Sequence, residues 1–121
     1  MKIAVRNLQK KIPVNPKRIT KIVLKILSQE GIKKSGEITV CFVNDQRINK
    51  LNLKYLGKNN PTAVITFDVA EPKCKDEIFA DIVISTDRAI DNADAFGTSP
   101  YFELYLYVIH GVLHILGYDD R

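Results

Sequence analysis

Residues 99–120 read SPYFELYLYVIHGVLHILGYDD. Ser99-Pro100 is a helix start: the serine hydroxyl can cap free N–H groups, and proline fits the first turn, where its missing N–H costs nothing. The chain then stays apolar up to Gly117, so the pattern predicts a helix from Tyr101 to about Leu116 that this glycine stops. That helix is apolar nearly all round, which predicts a central, covered position in the fold. Its polar members are Glu103, His110 and His114.

Upstream of this helix, the sequence alternates short apolar runs with amphipathic ones. Lys2 to Asn7 reads as an opening strand. Asn15-Pro16 is a second helix start, and Ile19, Ile22, Val23, Ile26 and Leu27 follow at helical spacing until Gly31. Glu37 to Val43 is β-rich, and Asn44 can cap a helix carrying Ile48, Leu51 and Leu53. Gly57 to Thr62 is a polar loop, Ala63 to Val69 a strand, and Glu71-Pro72-Lys73 a turn. Asp81 to Ser85 is a short strand buried on both faces, followed by a helix from Asp87 to Phe96 that ends at Gly97. Strands interspersed with helices predict a mixed sheet with helices packed on it.

A chain of 121 residues that is 45% hydrophobic suits one domain, 1–121, with a real core. It has no run of eighteen apolar residues, and Met1 to Arg6 contains no apolar signal region. A membrane span and export are therefore not expected, and the reading is cytoplasmic. Cys41 and Cys74 are read as reduced thiols. The net charge of +4 hides a split. Residues 1–35 hold ten Lys and Arg against one acid, Glu30, a balance of +9; the remainder holds eight basic and thirteen acidic residues, a balance of −5. The basic segment is either the solvated face of an amphipathic helix or a surface for phosphate backbones, with Lys17, Lys21 and Lys25 as its candidate contacts.

The only two histidines, His110 and His114, stand four residues apart on the last helix, which places them on one face. Two imidazoles share one metal ion in this way on the helices of zinc enzymes. Gly117 lets the chain double back, and Asp120 follows three residues later, giving the spacing H-x-x-x-H-x-x-G-x-x-ligand. A straight helix would carry a third ligand away from the metal, hence the glycine. The competing reading is a pair of core histidines satisfied by backbone or tyrosine partners. Metalloproteases of this zincin-like spacing carry glutamate directly after the first histidine as general base. Here that residue is Gly111, which disfavours peptidase chemistry, and no general base is apparent in the sequence.

His110-Gly111-Val112-Leu113-His114-Ile115-Leu116-Gly117-Tyr118-Asp119 resembles the YbeY-family signature H-G-x-L-H-L-x-G-Y-D-H. Leu51-Asn52-Leu53-Lys54-Tyr55, Gly57-Lys58, Pro61-Thr62, Val64 and Phe67 resemble that family's L-N-x-x-Y-R-G-K-D-x-P-T-D-V-L-S-F. Asp81-Ile82-Val83-Ile84-Ser85 resembles its G-D-I-V-I-S strand. The likeness spans roughly residues 40 to 120 and implies an α+β domain, a small mixed sheet of about four strands with packed helices and the metal-bearing helix at its centre.

The resemblance implies a metal-dependent endoribonuclease that cleaves single-stranded RNA in 16S ribosomal RNA maturation and ribosome quality control, with the small ribosomal subunit as partner. It implies zinc held by His110, His114 and the third ligand position, and an RNA surface supplied by the first helix, to which Lys58 of the loop is added. Three positions depart from the pattern: Asp120 stands where the family has histidine, Leu56 where it has a phosphate-holding arginine, and Ala63 where it has an acid. A carboxylate is an acceptable zinc ligand and lets manganese or magnesium compete. The alternative function is a catalytically weakened, metal-containing protein that binds RNA or the ribosome.

Overall fold

Asparagine and serine side chains open all four helices of the described residues. In this computed structural model those are residues 1–60, 62–68 and 76–118. Helix α1, Pro16–Gln29, starts where Asn15 Oδ1 accepts from the N–H groups of Lys17 and Arg18 at 3.1 and 3.3 Å. Helix α2, Asp45–Leu56, is capped by Asn44, and α3, Thr86–Phe96, by Ser85. Helix α4, Pro100–Ile115, is capped by Ser99, whose Oγ accepts from the Phe102 N–H at 3.1 Å. Such caps satisfy donors that the first turn leaves without partners, each worth about 1 kcal/mol.

The strands are β1, Lys2–Asn7, β2, Ser35–Val43, β3, Val64–Asp68, and β4, Glu77–Ser85. They form one mixed sheet in the order β1-β2-β4-β3. β1 and β4 each run parallel to β2, and β3 runs antiparallel to β4. The fold is α+β, with the expected elements in the expected order.

Because side chains alternate along a strand, the sheet buries two different sets of residues. Ile38, Val40 and Phe42 of β2 and Ile78, Ala80, Ile82 and Ile84 of β4 join Ile19, Val23 and Leu27 of α1 and Leu104, Val108 and Val112 of α4 in the main core. On the other face Val43, Ile65 and Val83 pack with Ile48 of α2 in a smaller cluster. Only the C-terminal half of β4 is buried on both faces, as expected for Asp81 to Ser85 except at Asp81, which is exposed.

Helix α4 is central: it packs against α1, α3, β3 and β4. Fully burying a side chain such as Val108 or Val112 contributes about 1.5–3 kcal/mol. The cover is one-sided, however. Phe102, His110 and His114 are exposed, and Leu106, Ile109 and Leu113 are half-buried. Helix and sheet approach so closely at Gly111 that a Cβ there would lie 2.6 Å from Ile82 Cγ2. The turn at Glu71-Pro72-Lys73, the end of the expected strand at Val69, Cys74 and Asp120 lie outside the described residues.

Candidate functional site

The open side of α4 forms one wall of a cleft of about 550 Å³. His110 and His114 line it together, one helical turn apart, with Tyr107 a turn earlier. The opposite wall is the end of α2 at Leu56, the loop residues Lys58, Asn60 and Thr62, and the start of β3. The sheet order makes β3 an edge strand, and among the described residues no strand lies beyond it on the sheet side of the cleft.

Neither imidazole makes a hydrogen bond to a described residue, and both side chains are exposed. The all-round apolar pattern predicts a covered helix, and here the structure differs: the side that carries the histidines is open. A desolvation cost for two buried histidines does not arise here, so it is no argument for a metal. The rings fit a divalent ion because they are two nitrogen donors on one face, without a hydrogen-bond partner among the described residues and open to one cleft.

The chain turns out of α4 at Gly117. Tyr118 N–H donates to the Leu113 carbonyl at 3.0 Å, and Gly117 N–H to that of His114 at 3.0 Å. This pair of bonds is the Schellman helix stop, and it requires a left-handed residue between them. Gly117 supplies it with φ +97°. Asp120 itself lies outside the described residues, and among the described residues no three of His, Cys, Asp and Glu gather around a common point.

Tyr107 was not singled out from the sequence. It is buried, and its hydroxyl accepts from Asn92 Nδ2 at 2.6 Å and donates to the Arg88 carbonyl at 3.5 Å. Burial pushes its pKa up, so the phenol stays protonated. Its positions relative to His110 and His114, three and seven residues earlier, were the signal that it shares their face. Asn52 was also missed as a cleft residue: it is buried on α2, and its amide donates to the Asn60 carbonyl at 3.2 Å.

The family profile described as Endoribonuclease YbeY matches residues 4–121. The chain belongs to the YbeY family. It is 39% identical to the Endoribonuclease YbeY of Syntrophus aciditrophicus over all of this chain and 77% of that one. Against the Petrotoga mobilis protein of the same name the identity is 40%, over all of this chain and 82% of the other. The solution structure of a Thermotoga maritima protein superposes with a TM-score of 0.57 at 26% identity, covering 98% of this chain and 75% of that one.

The YbeY-like sequence blocks converge on the cleft. The signature helix supplies His110, Gly111 and His114, and the block from Leu51 to Phe67 supplies Asn52, Leu56, Lys58, Asn60 and Thr62. Leu56 is 46% exposed at the end of α2 and lines the cleft. Ala63 also lines the cleft. Of the four candidate RNA contacts only Lys58 does. Lys17, Lys21 and Lys25 are exposed on α1, on the side away from its buried Ile19, Val23 and Leu27.

Proposed function

We propose that this chain is a metal-dependent single-strand endoribonuclease acting in 16S ribosomal RNA maturation and ribosome quality control. The observation that carries this reading is the meeting of His110, His114 and Lys58 on one open cleft in a chain of the YbeY family. His110 and His114, with Asp120 as third ligand, would hold a divalent ion, zinc first, with manganese or magnesium as competitors. When bound, such an ion polarises a phosphoryl oxygen and makes water more acidic.

The chain's own residues supply the rest. Lys58 draws the phosphate into the cleft. The Asn60 and Thr62 side chains offer neutral hydrogen bonds beside it, and Tyr107, its hydroxyl engaged by Asn92 and the Arg88 carbonyl, shapes the helix wall as a neutral phenol. Lys17, Lys21 and Lys25 attract the flanking strand, so binding falls steeply with added salt. No described helix is long and apolar enough to cross a membrane.

A second reading, a catalytically weakened RNA- or ribosome-binding protein that retains the metal, is favoured by Leu56. A leucine at the cleft stabilises no charge developing on a phosphate. Purified protein incubated with single-stranded RNA, with zinc or manganese and then with chelator, separates the two. Cleavage that chelator abolishes supports the nuclease; RNA binding without cleavage under every metal supports the second reading.

A further inference from the structure

On the far side of α4 from the histidines lies a second groove. Tyr101 and Tyr105 stand one turn apart there, ring centroids 6.4 Å from each other and planes inclined by 33°. With Pro13, Val14, Asn15 and Arg18 they line a space of about 380 Å³ between the segment preceding α1 and the first turns of α4. Arg18 Nη1 donates a long hydrogen bond, 3.5 Å, to Tyr105 Oη, which sets a guanidinium beside the ring. Tyr101 is 43% exposed, and none of the six lining residues is acidic. At 3.6 residues per turn these tyrosines sit about half a turn around α4 from His110 and His114, so the groove is separate from the cleft.

Two features identify the ligand class. Aromatic faces bind any base that can leave its own stack, and a neighbouring cation takes the attached phosphate. The surroundings are strongly basic: Arg18, Lys21 and Lys25 recur at intervals of three and four on α1, within the segment whose balance is +9. A duplex keeps its bases stacked inside and offers nothing to such a surface. We propose that this groove is a second RNA subsite, in which an unpaired base stacks on Tyr101 and Tyr105 while Arg18 and Lys21 hold the adjoining phosphates. The proposal rests on the reading of the protein as one that binds single-stranded RNA, and adds to it a contact remote from the cleft.

The test uses the full chain and a short unstructured oligoribonucleotide carrying 2-aminopurine, with chelator present to stop turnover. Stacking quenches this base. The wild type is expected to bind and quench it. Tyr101→Ala and Tyr105→Ala should each weaken binding about tenfold and restore fluorescence, whereas Tyr105→Phe retains both. Binding of the duplex of the same sequence should be unaltered by either alanine. If an alanine variant does not fold, Tyr101→Leu, which keeps apolar bulk without a π face, decides in its place. Unchanged affinity and quenching in the Tyr101→Ala, Tyr105→Ala double variant would overturn the subsite while leaving RNA binding intact. A wild type that binds no RNA at low salt overturns both the subsite and the reading beneath it.

Discussion

Asn52, only 3% exposed on α2, donates through its amide to the carbonyl of Asn60, 3.2 Å away across the loop that walls the cleft. The Lys58 N–H donates to the Asn52 backbone carbonyl at 3.3 Å, so one residue holds the loop at two points. The loop carries Lys58, Asn60 and Thr62 to the cleft, and the latch links a buried polar group in the fold to the position of candidate substrate contacts.

Asn52→Asp removes the donor and sets a carboxylate against the Asn60 carbonyl. A buried polar group left in that condition costs about 1–3 kcal/mol. Urea unfolding of the variant should show a loss of this size, and RNA cleavage at full occupancy of the folded state should drop as well. Unaltered cleavage in folded Asn52→Asp would mean that the loop needs no latch to work.

Gly111 meets β4 without room to spare. In Gly111→Ala the added methyl would sit 2.6 Å from Ile82 Cγ2, and Ile82 is itself fully buried. Alanine is the better helix former by about 1 kcal/mol, but overpacking of this kind costs about 1–3 kcal/mol, so the clash wins or nearly cancels the gain. Ile82→Ala alone should cost about 2–5 kcal/mol through the cavity it leaves. The two changes together should cost less than their sum, because the new methyl enters that cavity. Strict additivity in the double-mutant cycle would refute the close contact.

Asp87 ties three elements together. Its carboxylate accepts from the Asp45 N–H at 2.8 Å and from Lys11 Nζ at 2.7 Å. The Asp45 backbone hydrogen bond first, then Lys11, hold its pKa below the usual carboxylate value. A depressed folded pKa contributes stability that is fully present above the ordinary value, about 3.9, and lost as pH falls through the lowered one. Melting temperature should therefore fall on acidification below about pH 4, and fall less steeply in Asp87→Asn. Matching slopes in the two proteins would remove Asp87 from the acid response.

Much of this was legible in the chain. Asn15-Pro16 and Ser99-Pro100 announced α1 and α4 because capping chemistry is local. The pair His110 and His114 was visible for the same reason: helical spacing fixes a shared face whatever the tertiary fold. Strand β4 was read short, from Asp81, whereas it begins at Glu77. Its first half alternates Ile78 and Ala80 inward with Phe79 and Asp81 outward, a weaker signal than the continuous apolar run that follows, and pairing with Ser35 to Glu37 extends it. The exposure of the histidines was not legible. An apolar helix reads as covered, and only the tertiary arrangement left one side of α4 open beside the edge strand β3. Tyr107 and Asn52 escaped for a related reason, since their roles depend on Asn92 and Asn60, partners from other segments.

Metal content follows from the same open face. Protein purified without chelator should carry one divalent ion per chain, and His110→Ala and His114→Ala should each lose it, with folding little affected because both side chains are exposed. Elemental analysis and thermal melts provide the two readouts. Wild type without stoichiometric metal, together with no change in His114→Ala, would dismiss the metal site.

Leu56 offers the sharpest test of activity. It ends α2 beside the loop, 46% exposed, and lines the cleft with His110, His114 and Lys58. An arginine there can reach into a space that already exists, and its planar guanidinium binds two phosphate oxygens at once. Charge that builds on the phosphate in the transition state is then met by a placed donor, and such donors are worth on the order of 10²–10³ in rate. Leu56→Arg should therefore cleave single-stranded RNA faster than the wild type, whose cleavage should be measurable but weak. Removing an exposed leucine should leave stability nearly unchanged. If neither protein cleaves with zinc or manganese supplied, the nuclease assignment fails for this chain. If the wild type is already fast and Leu56→Arg slows it, the phosphate has another cation, and Lys58→Ala becomes the variant that abolishes turnover.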